Sequence, residues 1–121
     1  MTEDLPKIEG YHAHLYFTTP EQRATALRLR HRIGQRFREA VLGRVHDKAV
    51  GPHPVPMYQV AFSVDAFSGF VSWLSLVHED LSILVHPLHG DVLAEHGTHA
   101  LWIGPQLELR LDRFERLLPK D

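Results

Sequence analysis

The heptapeptide Tyr11-His12-Ala13-His14-Leu15-Tyr16-Phe17 constrains the fold more than any other stretch of the chain. Its aromatic and aliphatic residues favour extended backbone, and in a strand successive side chains point to opposite faces. Ala13, Leu15 and Phe17 then share one face, and His12, His14 and Tyr16 share the other. The apolar face needs a covering layer. Thr18-Thr19-Pro20 supplies it at once by opening a helix: Thr19 suits the N-cap, Pro20 the first helical position, and Gln22 completes a capping box. The chain therefore begins with a strand that buries one face under a helix and turns two histidines to the other.

The helix is predicted from Pro20 to about Val41, with Ala24, Leu27, Ile33, Phe37, Ala40 and Val41 as its buried stripe, and Gly43 ends it. Residues 44–50 alternate as a half-exposed strand. Gly51-Pro52-His53-Pro54-Val55-Pro56 cannot form a regular ladder, because its prolines lack a donor. It reads as a stiff loop carrying one histidine. Residues 57–64 form a second core strand, with Tyr58, Val60 and Phe62 on one face. Asp65 is expected to cap a second helix that runs to about Val77, with Phe67, Phe70, Val71, Leu74 and Val77 as its stripe. Leu81–Val85 is a short strand ending at His86-Pro87. Residues 87–100 are loop or short helix, His99–Ile103 a small extra strand, and Leu107–Lys120 a polar docked arm. This order predicts an α+β fold, a ferredoxin-like βαββαβ sandwich with two helices on one face of an antiparallel sheet. The expectation is one domain over residues 1–121, with a core of about 10–105 and a C-terminal arm of 106–121.

Composition narrows the function. The chain of 121 residues carries 13 Lys and Arg against 15 Asp and Glu, so the balance does not suit a nucleic-acid backbone as partner. Six of those cations, Arg23, Arg28, Arg30, Arg32, Arg36 and Arg38, fall in the first helix, where they read as a solvated face. No apolar run is long enough for a membrane span, and Met1–Gly10 lacks the apolar core of a signal peptide, which leaves a cytoplasmic location as the expectation. There is no Cys, which removes disulfides, thiolate metal sites and cysteine nucleophiles, but there are 10 His. Histidine is the commonest metal ligand and the usual acid or base near neutral pH.

Strand parity brings several of these histidines together. With the first strand lying between the third and fourth, His12, His14 and His86 meet on the face away from the helices, and Gln59 joins them. His53 lies on the adjacent proline loop, and His89, His96 and His99 follow closely enough to fold over the same patch. His31, His46 and His78 are left out as surface or helix-end residues, and Trp73 and Trp102 read as packing groups. Imidazoles with an optional carboxylate from Asp91 or Glu95 suit iron, zinc, manganese, nickel or copper alike.

Tyr11-His12-Ala13-His14-Leu15-Tyr16-Phe17, Gly51-Pro52-His53-Pro54 and Met57-Tyr58-Gln59-Val60 together resemble motifs of the DOPA 4,5-dioxygenase family. So do Trp73-Leu74, Leu84-Val85-His86-Pro87-Leu88-His89-Gly90-Asp91, Glu95-His96 and His99-Ala100-Leu101-Trp102-Ile103-Gly104. The similarity covers about residues 10–110. It departs from the family's usual pattern at His89, Thr98 and His78, which bears on substrate identity more than on chemistry. The resemblance implies a ferredoxin-like fold, a homodimer, and extradiol opening of a catechol such as DOPA with O2. On that basis Fe(II) is the expected metal, with zinc or nickel able to replace it. His12, His14 and His86 are the expected ligands, by the sheet argument, and His53 or His96 the acid/base. Gln59, Arg44, His89 and His99 are the expected substrate contacts. The alternative is a non-catalytic metal-binding or dimeric interaction protein on the same fold.

Overall fold

The computed structural model describes residues 4–115. The ends of the expected domain, residues 1–3 and the arm beyond residue 115, lie outside the described residues. The elements run β1 (Gly10–Tyr16), α1 (Pro20–Arg36), β2 (Val41–Leu42), β3 (Met57–Phe62), α2 (Phe67–Val77), β4 (Ser82–Leu88), α3 (Val92–His96), β5 (Leu101–Ile103) and α4 (Asp112–Glu115). The sheet is antiparallel with the order β2-β3-β1-β4-β5. Its first four strands have the split βαβ arrangement expected from the sequence, with β1 central. Among the described residues, no helix is long and apolar enough to cross a membrane.

The main core fills the space between the helices and one sheet face. Ala13, Leu15, Tyr58, Val60, Phe62, Ile83 and Val85 from the strands pack with Ala26, Leu29, Ile33, Phe70 and Leu74 from the helices. Burying each large aliphatic side chain of this set contributes about 1.5–3 kcal/mol. A smaller cluster on the opposite face joins Tyr16, Met57 and Leu84 to Val55, Ala100, Trp102, Leu107 and Leu109. The proline loop and the described part of the arm thus cover much of the open face.

Four local expectations are corrected. First, α1 stops at Arg36 because the Phe37 N–H still bonds to the Ile33 carbonyl while Phe37 itself leaves helical geometry. Its buried residues are Thr25, Ala26, Leu29 and Ile33. Ala24 and Ile33 are nine residues apart, two and a half helical turns, so they cannot share a stripe; Ala24 is exposed, and so is Val41 beyond the helix end. Second, the strand expected at 44–50 shrinks to Val41–Leu42 plus a bridge from His46 to Met57. Third, Asp65 does not cap α2; the turn before that helix is closed by Ser63, whose Oγ accepts from the Ala66 N–H. Fourth, β4 runs on through Pro87 to Leu88. This is tolerated because β5 pairs only with Ile83, Leu84 and Val85, so one side of β4 is free of a ladder at Pro87. The N-terminus of α1 is as expected: Thr19 Oγ1 accepts from the Gln22 N–H at 3.0 Å. Gln22 reaches back to the Thr18 N–H at 2.8 Å rather than to the cap residue itself.

Candidate metal and active site

His12 and His86 are direct cross-strand partners, and His14 lies opposite Gln59 on one side and Leu84 on the other. All four polar side chains therefore leave the sheet on the face away from α1 and α2. Two further histidines close over them. The loop presents His53, and its geometry follows from its residues: Gly51 takes a positive φ of 55° in the turn that bonds His53 N–H to the Val50 carbonyl. The Arg110 N–H then bonds the Pro52 carbonyl at 2.8 Å, tying loop to arm. His96 ends α3, a helix capped by Asp91, whose Oδ1 accepts from the Ala94 N–H at 3.1 Å.

The result is five packed imidazoles. His14 Nε2 and His86 Nε2 approach to 3.1 Å. The His53 ring centre is 4.2 Å from that of His14, and His96 is 3.9 Å from His86. His12 stands edge-on to His86 at 5.3 Å. Potential ligand atoms lie within 4.8 Å of one another in three sets: His12, His14 and His86; His14, His53 and His96; and His86, Glu95 and His96. Phe114 from the arm lies 4.6 Å from His96 and covers that side.

Burial keeps these rings neutral. Desolvation, reinforced by neighbouring histidines, holds His14 well below the ordinary imidazole value, His53 at about 4 and His86 at about 3. Desolvation also lowers His12 and His96, though the nearby Glu95 carboxylate partly opposes it in both. A neutral imidazole offers the lone pair that a metal requires.

The donor set fits a metal ion. His86 Nδ1–H donates to the Pro87 carbonyl at 3.1 Å, and His96 Nδ1–H to the Val92 carbonyl at 2.8 Å. Each ring thereby turns a free Nε2 inward, the outer hydrogen bond setting the tautomer as it does for metal-ligating histidines. Two nitrogens sharing one ion at about 2.0–2.1 Å would stand roughly 3.0–3.4 Å apart, which the His14–His86 pair already matches. His14 Nδ1 is buried and has no hydrogen-bond partner among the described residues, a cost that packed interiors seldom carry.

The remaining expected residues divide. Glu95, 4% exposed, is the carboxylate the structure brings to His86 and His96, while Asp91 is engaged as the α3 cap. Glu95 Oε2 also accepts the N–H groups of His89 and Gly90 at 2.7 and 2.9 Å. Gln59 Nε2 lies 3.5 Å from His12 Nε2. Arg44 is exposed beyond Gly43, whose N–H bonds the Gln59 carbonyl. His89 and His99 do not fold over the five-ring cluster. They pair with each other at 2.9 Å and line a groove of about 310 Å³ with Tyr11, Pro87 and Leu101, residues of the opposite strand parity. His31 is exposed and His46 is held in its edge bridge, both outside the cluster as expected. The arginines of α1 are largely engaged: Arg23 pairs with Asp47, Arg30 bonds the Gly43 carbonyl, and Arg32 and Arg36 lie over Trp73. Tyr16 and Phe114 were not among the expected site residues. Strand parity placed Tyr16 on the histidine face, but no local pattern could place Phe114 over His96.

An antiparallel split βαβ sheet bearing a cluster of neutral histidines on its open face defines a class of small α+β domains built around an imidazole-lined site. Residues 11–113 match the model of the Dopa 4,5-dioxygenase family, and the chain belongs to that family. It is 37% identical over 112 residues to a DOPA 4,5-dioxygenase of Amanita muscaria, covering 87% of this chain and 49% of that protein. It is 36% identical over 118 residues to an uncharacterized 21.2 kDa protein of Botryotinia fuckeliana, covering 89% of this chain and 64% of that one. The chain thus spans about half to just under two thirds of the length of these relatives. A crystal structure of a candidate dioxygenase from Nostoc punctiforme superposes with a TM-score of 0.88 at 46% identity, over 92% of this chain and 95% of that one.

Proposed function

We propose that the protein is a metal-dependent extradiol dioxygenase that opens the ring of a catechol such as DOPA with O2, acting as a homodimer. The observation that carries this reading is the facing pair of His14 and His86 Nε2 atoms, 3.1 Å apart within a cluster of neutral imidazoles. His12, His14 and His86 are the assigned ligands. Fe(II) held there would supply open positions at which a catechol and O2 meet, and would pass electron density from ring to oxygen.

The chain's own residues supply the rest. Ring opening requires a proton to leave the catechol and a proton to be delivered later, and a neutral histidine suits both steps. His53 and His96 flank His14 and His86 and are the assigned acid/base groups. Burial of His53 and His86 keeps bulk water from their side of the cluster. Gln59, beside His12, and the exposed Arg44, which follows the Gly43 bonded to the Gln59 carbonyl, are assigned to a carboxylate on the substrate side chain. His89 and His99 pair in a groove on the opposite parity of the sheet and are left out of this substrate site.

The test is oxygen uptake by Fe(II)-loaded protein with a panel of catechols that includes DOPA. Uptake coupled to a yellow ring-opened product is the expected result. Tight zinc binding without uptake on any catechol would replace this reading with a non-catalytic metal-binding role.

A further inference from the structure

The Tyr16 hydroxyl has no task in the chemistry proposed above, yet it is placed with care. Tyr16 ends β1 on the histidine face, is 2% exposed, and stacks on Trp102 with ring centres 6.0 Å apart. Its hydroxyl oxygen lies 2.7 Å from His53 Nδ1, its hydrogen-bond partner among the described residues. His53 has little freedom to turn away. It sits between Pro52 and Pro54, its own N–H bonds the Val50 carbonyl, and the Pro52 carbonyl is held by Arg110.

Two proton placements are open to this contact. If His53 Nδ1–H donated to the phenol oxygen, the buried phenol proton would be left without an acceptor, at the desolvation cost of that group. If Tyr16 O–H donates to Nδ1, both groups are satisfied, and neutral His53 then carries its proton on Nε2. The contrast with its neighbours is direct. His86 and His96 place Nδ1 against carbonyl oxygens, which only accept, so their Nε2 atoms carry lone pairs.

We propose that Tyr16 is a positioning residue: its O–H···Nδ1 bond fixes His53 in the Nε2–H tautomer, so that His53 serves the site as a hydrogen-bond donor rather than as a metal ligand. The assignment of the tautomer stands on hydrogen bonding alone; only the use of that proton in turnover rests on the ring-opening reading.

Long-range proton–nitrogen NMR of the full ¹⁵N-labelled chain, with and without Zn²⁺, reads the tautomer of each histidine, with His53→Gln giving the assignment. The expected result is His53 protonated at Nε2 in both states, and a mixed or Nδ1-protonated ring in Tyr16→Phe, which keeps the stack on Trp102. A wild-type His53 protonated at Nδ1, or a tautomer unchanged in Tyr16→Phe, overturns the proposal. If Tyr16→Phe does not fold, the wild-type spectrum alone decides. In the Fe(II)-loaded enzyme, Tyr16→Phe is expected to lower kcat about tenfold or more with KM nearly unchanged. Equal kcat in the two proteins also overturns it. An inactive wild type with the expected tautomer would instead count against the ring-opening reading.

Discussion

His14 concentrates the residue-scale physics of this site. Its ring is buried, its Nδ1 has no hydrogen-bond partner among the described residues, and its Nε2 faces that of His86. Removing the facing ligand is therefore decisive: His86→Ala is expected to reduce bound metal from stoichiometric to near zero by elemental analysis, and turnover with it. Retention of metal in that variant would exclude His86 as a ligand. The same burial makes the metal-free protein acid-sensitive. An unfolded imidazole protonates near 6.5, whereas folded His53 does so only at about 4 and His86 at about 3. Between those values the unfolded chain binds more protons, so this contribution is fully present above about 6.5 and is lost as pH falls toward 4 and 3. Urea midpoints of metal-free protein should fall steadily over that window, and a flat profile would show that the rings are not buried neutral.

At the scale of elements, structure is legible in the sequence where a local chemical signal exists and is not where packing has to choose. Thr19 and Pro20 marked the start of α1 because capping is a local hydrogen bond, and the structure shows it. Thr19→Ala should accordingly cost about 1 kcal/mol in urea denaturation while leaving metal binding intact. The helix end carried no such signal. Its Ala and Leu residues occur on more than one side, and only contact with the sheet selects Ala26, Leu29 and Ile33. The edge strand shortened for a related reason, since β2 has a neighbour on one side alone and little to hold it extended. Glu95 is an element-scale residue as well. It binds two backbone N–H groups ahead of α3, so Glu95→Gln, which weakens both charge-assisted bonds, should cost about 1–3 kcal/mol in the same assay.

For the whole molecule, the open sheet face is completed by segments remote in sequence. Leu107 and Leu109 pack on the Leu84 cluster, Arg110 ties the arm to the proline loop, and Phe114 covers His96. Phe114→Ala should loosen His96, the assigned acid/base group, and lower turnover of the Fe(II)-loaded protein roughly tenfold while bound metal stays unchanged. Unchanged turnover would show that the arm is only a cover. The sequence by itself determined the period-two placement of His12, His14 and Tyr16, the stiffness of the His53 loop and the split βαβ order, because each follows from local backbone chemistry. Strand parity likewise carried His86 to His12. Tertiary structure alone decided that His96 and Glu95 turn inward while His89 and His99 pair elsewhere. It alone set Tyr16 against His53, because loop direction and ring contacts depend on packing between segments that no local pattern encodes.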